Sequence, residues 1–196
     1  MKKYELTEES IQLFDRTLYR IKALIDIPSI NVKKGDLGGF VESERNLSQE
    51  GNCWMADEAI VFGEAKVFGA ARVFGEARVF GEARVYGEAE VYGEARVFGE
   101  ARVYGEAKVY GEARVFGEAL VTKTSDYLTI SPIGSENDVL TAFKDKEGKI
   151  FINRGCYTGT IEEFEQRVKE VHGENKYGLV YLNHLTTIKL QLHTEA

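Results

Sequence analysis

The stretch RVFGEARVYGEAKVYGEA (residues 96–113) repeats one six-residue unit three times, and only its aromatic and basic positions vary. Small, charged, apolar and aromatic residues alternate in the unit, which is the period of a strand whose Ala and Val side chains point to one side. The following Gly-Glu pair predicts a corner, because glycine adopts the positive φ angles that a tight corner needs. No helical or heptad period fits, which excludes a coiled coil.

The unit continues over twelve repeats without an insertion. Its apolar position is occupied by Met55, Val61, Val67, Val73, Val79, Val85, Val91, Val97, Val103, Val109, Val115 and Val121. Repeats of this kind form a solenoid in which each strand pairs with the equivalent strand of the next coil. The sequence therefore predicts a repetitive β fold rather than a single packed sheet.

The repeat resembles the hexapeptide-repeat proteins, whose units carry an aliphatic residue and a small residue four places later. Val61 with Ala65 and Val115 with Ala119 are such pairs, and the resemblance covers residues 55–122. It implies a left-handed parallel β-helix with three-sided coils of 18 residues, an exception to the usual right-handed crossover. We therefore expect a mostly β protein with about four triangular coils.

The outward aromatic residues fall into three columns when the sequence is read in steps of 18. One column contains only phenylalanine: Phe62, Phe80, Phe98 and Phe116. Because phenylalanine has no hydroxyl that needs a partner, we predict that this column is the interface of an oligomer, most simply a homotrimer. The alternative is that Arg and Lys side chains cover the rings within one chain. We also expect the corner glutamates to pair with strand arginines.

Different compositions flank the repeat and divide the chain into three predicted segments. These are an N-terminal β cap over residues 1–52, the β-helix over residues 53–122 and a small α+β module over residues 123–196. In the cap we expect a glycine turn at Gly38 and Gly39. The phrase GGFVESERNLSQEGNCW (residues 38–54) resembles the segment that leads into the coils of YdcK-like proteins, an uncharacterised bacterial and phage group, which implies an architecture but no reaction.

The C-terminal segment has its own pattern of strands and helices. YLTIS, NDVLTAF and KIFIN predict three strands, and a capping box at Thr160 and Glu163 begins a helix that ends at Gly173. A second helix is expected to follow. The SPIGS phrase (residues 131–135) and the Gly-Cys-aromatic-x-Gly-Thr phrase (residues 155–160) resemble C-terminal modules of phage-encoded proteins.

Composition restricts the partners. The net charge of −7 leaves no broad basic face for a phosphate backbone, so we expect no general nucleic-acid binding. Cys53 and Cys156 lie far apart without metal-binding spacing, and no apolar run has the length of a signal peptide or membrane span. These features predict a cytoplasmic protein, in the host cytoplasm if it is phage-encoded, that does not contact membranes.

Histidine positions bear on catalysis. Hexapeptide-repeat acyltransferases resemble one another in using a histidine base at the coils, whereas residues 55–122 contain no histidine. The related carbonic anhydrases need three histidine ligands there, so we expect no metal, no cofactor and no catalytic residue. His172 is expected to close the first helix, where a cation suits the helix dipole. His184 and His193 are expected at the surface of the second helix.

A candidate ligand site lies in the C-terminal module. Arg154 and SPIGS can converge near the start of the first helix, where free N–H groups favour an anion. The predicted ligand contacts are Arg154, Tyr157, Thr158, Thr160, Ser135 and Asn137, with Tyr157 stacking on a base. Turn glycines and an ordinary helix cap are the alternative, because Thr160 and Glu163 can occupy the same donors.

These observations favour a non-catalytic oligomeric protein whose β-helix scaffold presents modules that bind a small anionic, nucleotide-like ligand or a protein partner. By analogy with phage proteins, one version is a counter-defence protein that sequesters host signals. Two alternatives stay open. One is an acyltransferase with a relocated base such as His172, and the other is a purely structural scaffold for protein partners.

Overall fold

A computed structural model describes residues 2–192, so that His193 lies outside the described residues. The first strands are β1 (Tyr4–Leu13), β2 (Arg16–Ala23) and β3 (Leu37–Val41). Twelve strands of two residues follow: β4 (Trp54–Met55), β5 (Ile60–Val61), β6 (Lys66–Val67), β7 (Arg72–Val73), β8 (Arg78–Val79), β9 (Arg84–Val85), β10 (Glu90–Val91), β11 (Arg96–Val97), β12 (Arg102–Val103), β13 (Lys108–Val109), β14 (Arg114–Val115) and β15 (Leu120–Val121). The last elements are β16 (Tyr127–Ile133), β17 (Asp138–Lys144), β18 (Ile150–Arg154), β19 (Tyr157–Thr160), α1 (Ile161–His172) and α2 (Lys176–Leu192).

The repeat forms a parallel β-solenoid with three faces and about five turns. The first face contains β3, β5, β8, β11 and β14, the second β4, β7, β10 and β13, and the third β6, β9, β12 and β15. Arg96 pairs with Arg78 in the preceding coil and with Arg114 in the next. The predicted stacking of equivalent strands is therefore confirmed.

Alanine and valine fill the interior of the solenoid. Ala95 and Val97 are fully buried, as are their equivalents along the repeat. At the corner that follows, Gly99 has a φ of 67°, which L-residues with a side chain rarely adopt. The inward Ala and Val and the corner glycine thus have the roles that the six-residue unit predicts.

The outward aromatic residues stack from coil to coil. The ring centroids of Phe80 and Phe98 are 4.9 Å apart with parallel planes, and those of Phe62 and Phe80 are 5.1 Å apart. This spacing follows from the backbone, since neighbouring strands lie about 4.8 Å apart. The predicted alignment of the phenylalanine column is confirmed.

The N-terminal hairpin joins the solenoid through one sheet. Strand β3 is antiparallel to β2 and parallel to β5, so the first face continues into the hairpin. The predicted glycine turn is wrong, because Gly38 and Gly39 lie inside β3. A Cβ atom on Gly39 would lie 2.5 Å from the carbonyl oxygen of Ala59, so these glycines allow close approach rather than a turn.

The C-terminal module is a four-stranded antiparallel sheet of β16–β19 packed against both helices. The three predicted strands are present, and β19 adds a fourth where the sequence suggested a ligand loop. The capping box is also present: Thr160 Oγ1 accepts from the Glu163 N–H at 3.3 Å, and Glu163 Oε2 accepts from the Thr160 N–H at 2.8 Å. Helix α1 ends at His172 with Gly173 as its C-cap, as predicted.

The module covers the last coil. The rings of Phe116 and Phe143 meet edge to face with centroids 5.0 Å apart, and the Arg114 N–H donates to Thr141 Oγ1 at 3.1 Å. A bridge between Ala119 and Asp145 extends this contact. The open end of the solenoid is therefore closed by the module.

Charges on the strands are arranged differently from the expectation. Glu90 forms salt bridges with Arg72 and Lys108, the residues above and below it on the second face. Burial alone would raise the pKa of Glu90, but the hydrogen bonds and charges of Arg72 and Lys108 hold this pKa below its usual value. Within residues 2–192, no carboxylate lies at salt-bridge distance from Arg78 or Arg96. The expected pairing of these arginines with corner glutamates is therefore wrong.

Neither helix in the described part of the chain has the length and apolar character needed to cross a membrane.

Candidate anion-binding site

A cavity of about 310 Å³ lies between the β18–β19 turn and the two helices. The turn contributes Arg154, Cys156 and Tyr157. The remaining lining residues come from the helices: Phe164, Arg167, Val168, Val171, His172 and Tyr181. The cavity therefore joins three parts of the C-terminal module that are distant in sequence.

Helical spacing explains why α1 supplies so much of the lining. Phe164, Arg167, Val168 and Val171 are three or four residues apart, which places them on one face of the helix. Phe164 and Val168 are buried in the core of the module, whereas Arg167 is exposed. The helix thus packs its apolar face on the sheet and holds a guanidinium at the edge of the cavity.

Positive charge with an unused donor marks the cavity. Arg154 Nε is buried and has no hydrogen-bond partner among residues 2–192. Its Nη1 lies 3.8 Å from Oε2 of Glu136, a side chain that is 76% exposed. Arg167 and His172 border the same space. Because an unsatisfied buried N–H is costly, an acceptor oxygen that enters the cavity and shifts the Arg154 side chain enough to reach Nε would be favoured.

Aromatic rings form the apolar wall. The ring centroids of Tyr157 and Phe164 are 5.0 Å apart, and those of Phe164 and Tyr181 are 5.5 Å apart. Burial raises the pKa of the Tyr181 phenol, and the Arg154 guanidinium only partly opposes the rise. Burial and Glu163 raise the pKa of the Tyr157 phenol. Both hydroxyls therefore keep their protons at neutral pH and can donate.

The SPIGS phrase (residues 131–135) lies against the side chains of Tyr181 and Arg154. Gly134 has a φ of 76°, and a Cβ atom there would lie 2.1 Å from Tyr181 Oη and 2.8 Å from Arg154 Nη2. A side chain at this position would displace both groups. The predicted proximity of the loop to Arg154 is therefore present, and the loop positions the guanidinium.

Two of the six predicted ligand residues line the cavity, namely Arg154 and Tyr157. Thr158 lies on the exposed side of β19, where its Oγ1 accepts from Asn153 at 3.2 Å. Thr160 is engaged in the helix cap. The free helix N-terminus expected for an anion is thus already satisfied by the protein.

Ser135 and Asn137 lie in the exposed turn between β16 and β17, outside the lining of this cavity. The structure therefore does not bring them together with Tyr157. Their neighbour Glu136 is the residue that approaches Arg154.

Arg167 and Tyr181 line the cavity although the sequence did not indicate them as site residues, and His172, predicted as a helix-closing residue and as the base of the alternative acyltransferase, lines it as well. Phe164 and Tyr181 lie at apolar positions of the two helical patterns. A basic residue three positions after Phe164 was the available signal for Arg167. His184, expected at the surface, is half-buried.

The predicted interface column has different surroundings along its length. Phe62 packs beside Phe40 at the hairpin, and the Arg16 guanidinium lies 5.8 Å from its ring centre. Phe116 packs against the C-terminal module. Phe80 and Phe98, between them, are half-buried within one chain. Coverage by arginine thus applies at Phe62, while the middle of the column stays partly open.

Within residues 2–192, no group of three or more His, Cys, Asp or Glu side chains could hold a metal ion. Comparison with models of known protein families gave no match, and comparison with curated proteins gave none either.

Proposed function

We propose that this protein is a non-catalytic, oligomeric binding protein in which a left-handed β-helix presents C-terminal modules that bind a small anionic ligand with an aromatic ring, such as a nucleotide. The buried, unpartnered Nε of Arg154 is the observation that carries the proposal. Arg167 adds positive charge, His172 borders the same space, and Tyr157 and Phe164 offer ring surfaces to a base.

The most specific version concerns the source of the ligand. Since the C-terminal phrases resemble phage-encoded modules, the ligand would be a nucleotide signal of host defence that the protein sequesters without chemical change. In this version the function depends on affinity and on the number of modules per assembly.

Oligomerisation is the second part of the proposal. The phenylalanine column, with Phe80 and Phe98 at its centre, forms the subunit interface of a trimer. Their partial exposure supports this assignment, because burying an aromatic side chain contributes about 1.5 to 3 kcal/mol. A trimer would carry three equivalent modules.

Binding can be tested by calorimetry of the full chain against cyclic nucleotides and ADP-ribose derivatives, with native mass spectrometry to detect a co-purified ligand. We expect saturable binding of at least one such compound. Arg167→Met should weaken it at least about tenfold, the loss of one charge-assisted contact. Lys149→Met, which removes a charge on the β17–β18 turn, should have no effect.

Two results would contradict the proposal. Unchanged affinity in Arg167→Met would place the ligand elsewhere, and no heat with any compound would leave only the scaffold function. Arg167 and Lys149 are both exposed, so a folding defect does not obscure the comparison of the two variants.

An acyltransferase is the second candidate, because His172 borders the cavity. Its ring centroid lies 5.7 Å from that of Tyr181. Acyl-CoA turnover that is lost in His172→Ala would favour this function over the first. Absence of turnover with bound nucleotide would reject it.

A further inference from the structure

A second cavity, of about 440 Å³, lies beside the first coils of the second face. The aromatic column on this face consists of Phe74, Tyr92 and Tyr110, whose successive ring centroids are 4.8 and 5.4 Å apart. One coil earlier the same position is Ala56, and both Ala56 and Phe74 line the cavity. The stack therefore lacks one ring at a position where the protein leaves open space.

Trp54 contributes an unused donor to the same space. Its side chain lines the cavity and is 4% exposed. Its Nε1–H meets no acceptor within residues 2–192, and the atom is not sealed from solvent. Since this N–H is left to solvent, a ligand acceptor beside the indole would take the place of a water at this donor.

Two acidic side chains line this second cavity, whereas two arginines line the cavity of the C-terminal module. The acidic residues are Asp36 and Asp57. The Asp36 carboxylate accepts from the Lys33 N–H at 2.8 Å, and the Asp57 carboxylate accepts from the Gly75 N–H at 3.0 Å. These backbone bonds fix both carboxylates, and within the described chain neither has a cation at salt-bridge distance.

Among residues 2–192, Arg72 is the one cationic side chain in the lining. Its guanidinium is 5.6 Å from the centre of the Phe74 ring and forms a salt bridge with Glu90. Because the charge of Arg72 is neutralised by Glu90, Asp36 and Asp57 make the electrostatic potential in the cavity negative. An anion is disfavoured there and a cation is favoured.

We propose that this cavity binds a small molecule that carries a planar aromatic ring and an alkylammonium group. The ring takes the position missing at Ala56 and stacks on Phe74, the ammonium group faces Asp36 and Asp57, and a polar ring substituent accepts from Trp54. The volume lies in the usual range for small-molecule sites, about 300 to 1,000 Å³. This site is independent of the anion-binding cavity, which lies in the C-terminal module.

Trp54 is the only tryptophan in the chain, so its fluorescence reports directly on occupancy. Tyramine, with an aromatic ring, an ammonium group and a phenol oxygen, is the probe. We expect a saturable fluorescence change with tyramine. Phloretic acid, its carboxylate analogue, and cyclohexylethylamine, which lacks the flat ring, should each bind at least about tenfold more weakly.

Two variants test the geometry. Ala56→Phe supplies the missing ring and should abolish the tyramine response. Ala70→Glu, which restores the usual corner glutamate outside the cavity, should leave it unchanged. Asp57→Asn keeps a side-chain oxygen for Gly75 and tolerates the φ of 56° at this residue. It should weaken tyramine about tenfold and provides the test if Ala56→Phe fails to fold.

The proposal is overturned if phloretic acid binds as tightly as tyramine, if no probe changes the fluorescence, or if tyramine affinity is unchanged in Asp57→Asn. Preserved tyramine binding in a folded Ala56→Phe protein would also overturn it.

Discussion

The ammonium group of Lys3 lies 3.1 Å from Sγ of Cys53 and donates to the Cys53 carbonyl oxygen at 2.8 Å. It also contacts the carbonyl oxygens of Glu50 and Gly51 at 3.4 and 3.3 Å. Lys3 is 2% exposed and Cys53 is fully buried. The lysine therefore satisfies one buried and two partly buried carbonyl oxygens at one end of the solenoid.

The direction of the backbone hydrogen bonds explains this relationship. Outside the strand ladders, most N–H groups that bond between coils belong to the earlier coil and donate to a carbonyl of the later coil, as in Phe62 to Val79 at 3.1 Å, although the Val67 N–H donates in the reverse direction to the Asn46 carbonyl at 2.8 Å. The first coil thus presents mainly carbonyl oxygens and the last coil mainly N–H groups that need partners. Donor side chains such as Lys3 and Asn46 satisfy the first end.

We predict that Lys3→Met lowers the free energy of unfolding by about 2 to 3 kcal/mol, because it leaves buried carbonyl oxygens without a donor. Urea denaturation followed by circular dichroism provides the measurement. Lys2→Met is the control, since exposed Lys2 only pairs with Glu44 at the surface. Equal effects of the two substitutions would show that Lys3 has no closing role.

At the opposite end of the solenoid, we predict that removing the Thr141 hydroxyl as a hydrogen-bond acceptor lowers the free energy of unfolding. Thr141, which is 1% exposed, accepts from the Arg114 N–H in the last coil. Thr141→Val keeps the shape of the side chain and should cost about 1 to 2 kcal/mol, because the N–H stays buried without a partner. Thr129→Val, at the residue paired with Thr141 on β16, should cost less than half as much in the same denaturation assay. A neutral Thr141→Val would contradict this account.

The sequence predicted the solenoid well because every repeat presents the same local chemistry. Alanine, valine and glycine each have one role that recurs, so no long-range information was needed. Gly38 and Gly39 show where this logic fails: the same dipeptide suits a turn and a crowded strand, and only the contact with Ala59 distinguishes them. The candidate site depended on α1 and α2 meeting β18, which spacing along the chain does not specify. Arg154 was found from its neighbours in sequence, whereas Arg167 and Tyr181 were not.

A substitution at Thr160 distinguishes two places where the C-terminal module can bind its ligand, the cavity and the N-terminus of α1. Its hydroxyl caps α1 and does not line the cavity. Thr160→Ala should reduce stability by about 1 kcal/mol but leave the affinity for an anionic ligand unchanged, and Thr160→Ser should restore stability. Thermal unfolding and calorimetry measure the two effects. Loss of affinity in a folded Thr160→Ala protein would instead place the ligand at the helix N-terminus.

Glu165 makes the packing of the two helices sensitive to acid. Its carboxylate accepts from Lys169 on α1 and from Lys189 on α2, both at 2.7 Å. These hydrogen bonds lower the pKa of Glu165 from 4.5 to about 2. Because the folded-state pKa is depressed, the stabilisation is complete above the unfolded value and is lost as the pH falls towards about 2.

We therefore predict that Glu165→Gln is less stable than the wild type at pH 6 by less than about 1 kcal/mol, since the pair is partly exposed. The difference should shrink between pH 4.5 and about 2. Thermal unfolding of both proteins across this range measures it. Glu162→Gln, in the first turn of the same helix, is the control, because it removes a carboxylate without breaking the bonds to Lys169 and Lys189. A difference that is independent of pH would show that the ion pair does not hold α2.

The phenylalanine column provides the test of assembly. Phe80 and Phe98 stack in its middle and are half-buried, whereas Phe62 and Phe116 already pack against the hairpin and the module. If the column is the trimer interface, Phe80→Glu with Phe98→Glu should yield monomers, because two carboxylates cannot be buried there without partners. Sedimentation velocity of the purified proteins gives the mass directly.

The matched control changes the third face of the same coils. Tyr86 and Tyr104 stack with centroids 4.8 Å apart, so Tyr86→Glu with Tyr104→Glu introduces the same charge and the same loss of stacking. This variant should keep the mass of the wild type, and circular dichroism should show that both double variants retain the solenoid. Dissociation of the tyrosine variant alone would assign the interface to the third face, and a monomeric wild type would leave the phenylalanine rings exposed in solution.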